Sequence, residues 1–149
     1  MGSGLPGMMF KLVVSDLNRM ADFYRDILLL TEKLRFDSVM NHRPMSEVMF
    51  EYADGSIAPL AVIKYLDGGT PSHDQAVPVF FTDDVKAMLD RIDRHGGRVN
   101  EDREDRANDA RIVFWYDPEG NVVETVQMNA GLSGKATRQA AETGGSAGD

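Results

Sequence analysis

The sequence is 149 residues long, carries a net charge of −8 and contains no cysteine. This length suits one domain or two small tandem modules, and the lack of cysteine excludes disulfides, thiolate nucleophiles and cysteine-based metal sites. Contacts to phosphate need clustered lysine and arginine, so the acidic balance argues against a nucleic acid or an anionic membrane as partner.

From the first residues we expect no targeting signal. Residues 1–7 lack the basic and long apolar regions of a signal peptide, and no apolar run approaches the length of a membrane span. We therefore expect a flexible N-terminus over 1–7 and a cytoplasmic protein.

The first half of the chain predicts a strand, a helix and three further strands. The strand Phe10–Val14 runs into Ser15, a residue type favoured at helix N-caps, and apolar residues then recur at helical spacing over 17–28. The later strands of this half are predicted at 32–39, 45–52 and 58–65.

The second half repeats this order. The strand Val77–Thr82 is followed by Asp83 as the expected N-cap, and an apolar helical stripe from Val85 to Ile92 ends at a glycine signal beside His95. The later strands of this half are predicted at 98–103, 110–116 and 121–127.

The repeat defines the domain organisation. A first module covers 8–66, a linker 67–75 and a second module 76–128, and we predict a disordered tail over 129–149 because its composition offers little to bury. The predicted fold is α+β: two tandem βαβββ modules whose mixed sheets curl into a cup, with the helices on the outer face.

The paired modules, together with the segments 14–28 and 117–124, resemble the vicinal oxygen chelate superfamily. The second segment reads Asp-Pro-Glu-Gly-Asn-Val-Val-Glu. That superfamily contains glyoxalase I, extradiol dioxygenases and the bleomycin-resistance type of drug-binding protein. The resemblance implies a cup that is often completed by homodimerisation and that holds the ligand inside.

The metal-dependent relatives take their ligands from the first and last strands of each module. Carried over to this chain, the first-strand positions are Met9 and Val77, and the last strand of the first module, 58–63, offers no ligand side chain. Only Glu124 matches, and one oxygen donor beside a thioether does not hold the hard ions that this superfamily uses. We therefore predict no metal and no cofactor.

The remaining candidates are the side chains predicted to face the cup. Alternation along the first strand places Met9 and Lys11 inside, and Lys11 could pair with Glu124, bind a ligand oxygen or extend to the rim. An apolar, aromatic lining suits a bulky, planar guest. The predicted ligand-binding residues are Met9, Lys11, Met49, Phe81, Trp115 and Glu124. Whether Trp115 or its neighbours on the same strand point inward stays open at this point.

These residues give two functional hypotheses. The first is a small-molecule-binding protein similar to the bleomycin-resistance proteins, which sequesters a bulky aromatic or cationic compound without a metal. The alternative is a metal-independent isomerase, lyase or cyclase, for example in natural-product biosynthesis, with Glu124 as general base and Lys11, His42 or His73 as acid.

Overall fold

The chain's structure, a computed structural model, describes residues 8–129, which contain two helices and eight strands. The predicted N-terminus 1–7 and all but the first residue of the predicted tail 129–149 lie outside the described residues. The elements in chain order are β1 (Phe10–Val13), α1 (Leu17–Ile27), β2 (Thr31–Met40), β3 (Arg43–Glu51), β4 (Ile57–Tyr65), β5 (Val79–Phe81), α2 (Val85–Arg94), β6 (Arg98–Asp105), β7 (Ala110–Tyr116) and β8 (Val122–Met128).

The strands form two four-stranded sheets of identical design. Their orders are β1-β4-β3-β2 and β5-β8-β7-β6, and in each sheet the first and last strands of the module are parallel while the other neighbours are antiparallel. Each module therefore returns its last strand to the centre of the sheet, beside its first strand. The α+β prediction of two βαβββ modules is confirmed.

The N-cap of each helix lies one residue later than the N-cap predicted from the sequence. The side chain of Asp16 accepts a hydrogen bond from the amide of Arg19, and the side chain of Asp84 accepts one from Ala87. These are N-cap geometries, in which a short carboxylate satisfies an amide that has no partner inside the helix. The predicted caps Ser15 and Asp83 therefore lie just outside the helices.

One face of each sheet packs against the helices and forms the hydrophobic core. On this face Val48 and Phe50 of the first sheet and Val113 and Trp115 of the second are at most 1% exposed. They pack with apolar side chains of both helices, for example Phe23 and Met88. The face turned away from the helices in each sheet is called here the open face. In the first sheet its residues Met45, Glu47, Ala61 and Ile63 are buried, whereas Val79 and Phe81 of the second sheet are exposed.

The turn before β8 ties the second module to α1 of the first. The hydroxyl of Tyr24 donates a 2.6 Å hydrogen bond to buried Asp117, and the amides of Ser15 and Asp16 donate to the carboxylate of Glu119. Burial, and next the negative charge of Asp117, raise the pKa of Tyr24 well above its ordinary value of 10.0. The phenol therefore stays neutral and keeps its hydrogen bond.

The two helices are 11 and 10 residues long. In the described part of the chain, neither is long and apolar enough to cross a membrane.

Candidate functional site

Strand register fixes which side chains share the open face of the first module. Lys11 of β1 lies beside Ala61 of β4, and Ala61 lies opposite Met49 of β3. Two residues further along the strands, Glu47 lies opposite Ile63. Side chains that are paired across a sheet point to the same face, so Lys11, Met49 and Glu47 share the open face.

The corresponding row of the second module contains the candidate carboxylate. Glu124 of β8 lies between Val79 of β5 and Phe114 of β7, and Phe81 follows two residues after Val79. Val79 is 42% exposed and Phe81 is 57% exposed. Within residues 8–129 the carboxylate of Glu124, which is half-buried, has no hydrogen-bond or ion-pair partner. An unpaired acid therefore lies among apolar side chains that are open to solvent.

Lys11 forms its ion pair with Glu47 and not with Glu124. The ammonium nitrogen is 2.8 Å from Oε2 of Glu47, whose side chain is 1% exposed, while the lysine side chain is 37% exposed. The second carboxylate oxygen, Oε1, is buried and accepts no hydrogen bond from any described residue. The buried carboxylate of Glu47 thus has a partner for only one of its two oxygens, and that partner, Lys11, is partly exposed to solvent.

Trp115 lies on the helix-facing side of β7. Its side chain is fully buried, its ring centroid is 5.9 Å from that of Phe23, and its indole N–H donates a 2.9 Å hydrogen bond to Thr125. The open question about this strand is therefore answered in favour of the neighbours: Phe114 and Tyr116 share the open face, and the structure does not bring Trp115 to it.

The other predicted residues are not gathered in one cavity of a single chain. Lys11 lines a cavity of about 540 Å³ beside β1, and Phe81 lines another of about 370 Å³ between β4 and β5. Met9, Met49 and Glu124 line neither of them. The structure thus brings Lys11 together with Glu47 on the first sheet, while Glu124 and Phe81 share the open face of the second sheet, where Glu124 is paired with Val79 and Phe81 with Val126.

The residues at the ligand positions do not fit a metal ion. Met9 offers only a thioether, Val77 and Ala61 offer no donor, and Glu124 alone supplies an oxygen. Within the described part of the chain, no group of three or more histidine, cysteine, aspartate or glutamate side chains could hold a metal.

Glu47 is the site residue that the sequence interpretation missed. It sits between Met45 and Met49, and the alternation of the strand places all three on one face. The sequence did contain an indication of this pair, because a buried acid between two methionines is costly unless a cation lies beside it. Only the pairing of β3 with β4, and of β4 with β1, identifies that neighbour as Lys11.

Comparison with known proteins agrees with this architecture. The model of the Glyoxalase/Bleomycin resistance protein/Dioxygenase superfamily matches residues 8–125. The chain therefore belongs to this superfamily, and the resemblance noted from its sequence is confirmed. No curated protein shows significant sequence similarity to the chain.

Solved structures share the fold at low sequence identity. A glyoxylase/bleomycin resistance protein/dioxygenase domain from Frankia sp. EAN1pec is 18% identical with a TM-score of 0.68, covering 89% of this chain and 99% of that chain. The trypanothione-dependent glyoxalase I of Leishmania major is 20% identical with a TM-score of 0.66, covering 92% and 96%. A genomically encoded fosfomycin resistance protein of Listeria monocytogenes is 20% identical with a TM-score of 0.61, covering 91% and 99%. These similarities establish the fold and leave the ligand to be inferred from the site.

Proposed function

We propose that this protein binds a small molecule carrying an aromatic ring and a positive charge, without a metal ion, on the open face of its second module. The observation that supports this most directly is the carboxylate of Glu124, which lies between Val79 and Phe114 and has no partner among the described residues. The carboxylate would attract the cation, and exposed Phe81 would contact the ring.

The proposal includes a cytoplasmic homodimer. Val79 and Phe81 are exposed apolar residues on the open face, and a second copy that covers this face would turn it into an enclosed cup. In such a cup Met9 and Met49 would add adaptable apolar contacts to the guest. A cup that encloses its ligand suits sequestration, because enclosure slows release.

The alternative is a metal-independent isomerase, lyase or cyclase in which Glu124 acts as general base. A carboxylate that accepts no hydrogen bond keeps its lone pairs for a substrate proton. Within one chain Lys11 is engaged by Glu47, so the acid of such a reaction would have to come from another group.

The binding hypothesis can be tested by calorimetry with benzyltrimethylammonium as the probe and benzyl alcohol as its neutral counterpart. We expect the wild-type protein to bind the cation more tightly than the alcohol. In Glu124→Gln the preference should disappear, because the amide carries no charge. Trp115 is a poor reporter for this titration because its ring lies on the other face of β7.

Glu104→Gln is the matched control. Glu104 is exposed and lies opposite Arg111, on the other face of the same sheet. Its substitution removes the same charge from the protein and should leave the preference for the cation unchanged. Equal binding of both probes by the wild-type protein, or equal losses in both variants, would contradict the proposal.

The enzyme alternative and the metal question each need one further measurement. Turnover of a compound by the wild-type protein that is abolished in Glu124→Gln, with binding retained, would favour the enzyme. Elemental analysis of the purified protein should find no stoichiometric Mn, Fe, Ni or Zn, and added Mn²⁺ or Zn²⁺ should not raise the melting temperature.

A further inference from the structure

The larger cavity lies away from Glu124, between the edge of β1 and the segment that joins the two modules. It has a volume of about 540 Å³, and seven residues between Gly68 and Ala76 form one wall of it. We call it the basic cavity because three cationic side chains line it: Lys11, Arg43 and Lys64.

No aspartate or glutamate is among the residues that line the basic cavity. This is unexpected on composition alone, since the whole chain has 24 acidic residues against 16 lysines and arginines. The acids nearest to the cationic groups, Glu47 and Asp67, pair with Lys11 and Arg43 from outside the lining. The ion pairs therefore present their positive ends to the cavity.

Glu47 holds Lys11 in a defined position. Lys11 lies beside Ala61 in the sheet, but its ammonium reaches Glu47, which pairs with Ile63, two residues closer to the end of β4. The ammonium is thereby displaced toward Tyr65 and Arg43 at that end. An ammonium has three N–H donors, and the bond to Glu47 uses one of them.

Arg43 is fixed in a similar way. Its Nε and Nη2 groups donate to Asp67, Nη2 also donates to the carbonyl of Gly68, and the guanidinium lies 3.7 Å from the ring centroid of Tyr65. Its Nη1 group donates to no residue in the described part of the chain. A stacked and paired guanidinium loses little freedom when its last donors bind a further group.

Lys64 lines the cavity at the end of β4, from the face opposite to that of Ala61 and Ile63, and its charge is not compensated. It is exposed at the end of β4 and has no ion-pair or hydrogen-bonding partner among residues 8–129. The three cations and the two acids that pair with them carry a net charge of +1 (3 − 2). An anion that enters the cavity would therefore meet free N–H donors and a net positive charge.

We propose that the basic cavity binds a small organic molecule through an anionic oxygen group, a phosphate or a carboxylate. Both groups accept hydrogen bonds from ammonium and guanidinium donors at short distance. A cavity of about 540 Å³ is within the size range of small-molecule sites and exceeds the needs of an inorganic ion, so the rest of the molecule would contact the wall formed by 68–76. This site goes beyond the proposed function, because Glu124 is not part of it.

The test is an NMR titration of the ¹⁵N-labelled full-length chain with inorganic phosphate, phenylphosphonate and benzoate, at constant ionic strength. We expect saturable shifts of the amides of Gly68, Gly69 and Thr70. Phenylphosphonate should bind more tightly than inorganic phosphate because its ring contacts the cavity wall. Tighter binding of phenylphosphonate than of benzoate would identify a phosphate-type group, and the reverse order a carboxylate.

Two matched variants separate this site from general charge effects. Lys64→Gln should weaken binding about fivefold, as expected for the loss of one solvated charge contact. Lys86→Gln removes the same charge from an exposed position on α2 outside the cavity and should change binding less than twofold. Glu124→Gln should leave anion binding unchanged.

The proposal would be overturned by shifts that grow linearly with anion concentration, by shifts that are scattered over the surface, or by equal weakening in Lys64→Gln and Lys86→Gln. The two substitutions are at exposed positions, and the spectra of the free variants show directly that each is folded. If anion binding fails while Glu124→Gln still abolishes cation binding, the proposed function stands without this second site.

Discussion

The two modules have the same topology and differ mainly on their open faces. In the first module the row across β1, β4 and β3 reads Lys11, Ala61 and Met49, and the nearby acid Glu47 is buried and paired. In the second module the same row reads Val79, Glu124 and Phe114, and its acid has no side-chain partner among residues 8–129. Glu47 is thus held in an ion pair within the first module, whereas the carboxylate of Glu124 can still bind a ligand.

The helix-facing sides of the same strands are alike. Phe50 and Trp115 occupy equivalent positions, each one residue after the residue of the open-face row, and both are fully buried against the helices. Packing requires a large apolar residue at that position in both modules. On the open face the modules differ: Ala61 and Ile63 of the first module are buried, whereas Val79 and Phe81 of the second are exposed, so the two faces present different chemistry.

Removal of the cation from the buried pair should have the largest effect on stability. Lys11→Met leaves the carboxylate of Glu47 buried without a partner, which we expect to lower the free energy of unfolding by about 2 to 3 kcal/mol. This lies at the lower end for such losses because the lysine side chain is 37% exposed and water can reach the vacated position. Urea denaturation followed by circular dichroism measures the change.

The double variant Lys11→Met with Glu47→Leu is the control. It removes both charges, so no ion is left buried, and most of the lost stability should return. If the single and double variants are equally unstable, the loss comes from packing and not from the unpaired carboxylate.

The second prediction concerns the hydrogen bond that joins α1 to the second module. Tyr24 of α1 is fully buried and donates to Asp117 of the other module. Tyr24→Phe should cost about 2 kcal/mol at pH 7, because it removes a hydrogen bond to a buried carboxylate. The remaining donors to Asp117, the amides of Glu119 and Asn121 and the side chain of Asn121, limit the loss.

The pH dependence of this contribution follows from the raised pKa of Tyr24. A phenol whose pKa is higher in the folded state than the ordinary 10.0 stabilises the fold fully below pH 10. This contribution is lost as the pH rises from 10 to the folded-state pKa, at about 1.4 kcal/mol per pH unit. The stability difference between wild type and Tyr24→Phe should therefore shrink above pH 10. A difference that stays constant to pH 11 would contradict this account.

The third prediction tests whether the helix-facing side serves stability alone. Trp115→Phe removes the hydrogen bond to Thr125 and part of a fully buried ring, at a cost of about 1 to 2 kcal/mol. The affinity for benzyltrimethylammonium should not change, because Trp115 does not reach the open face. A loss of affinity without a loss of stability would show that the ring acts in binding.

The sequence predicted the fold almost completely because the fold depends on local signals that both modules repeat. Apolar periodicity placed each helix and strand within a few residues, and the errors at the helix starts arose because Ser15 and Asp16 are both acceptable caps. The structure assigns the cap to Asp16, whose side chain accepts from the amide of Arg19, and the amides of both Ser15 and Asp16 donate to Glu119, a contact between distant parts of the chain.

The candidate site was predicted less well because it depends on which strands are neighbours. Alternation correctly placed Lys11 on the open face, but its partner Glu47 follows only from the register of three strands. For Trp115, alternation left both faces open, and its full burial and its contact with Phe23 show that the ring packs in the core.

The smallest expected effect on stability belongs to the acid of the second module. Glu124→Gln should change the free energy of unfolding by less than about 0.5 kcal/mol, because the carboxylate has no partner among the described residues and the amide has nearly the same shape. The same substitution should abolish the preference for the cationic probe. Thermal denaturation and calorimetry on one preparation measure both quantities. A large loss of stability would mean that Glu124, like Glu47, holds the structure together, and the contrast between the two open faces would then disappear.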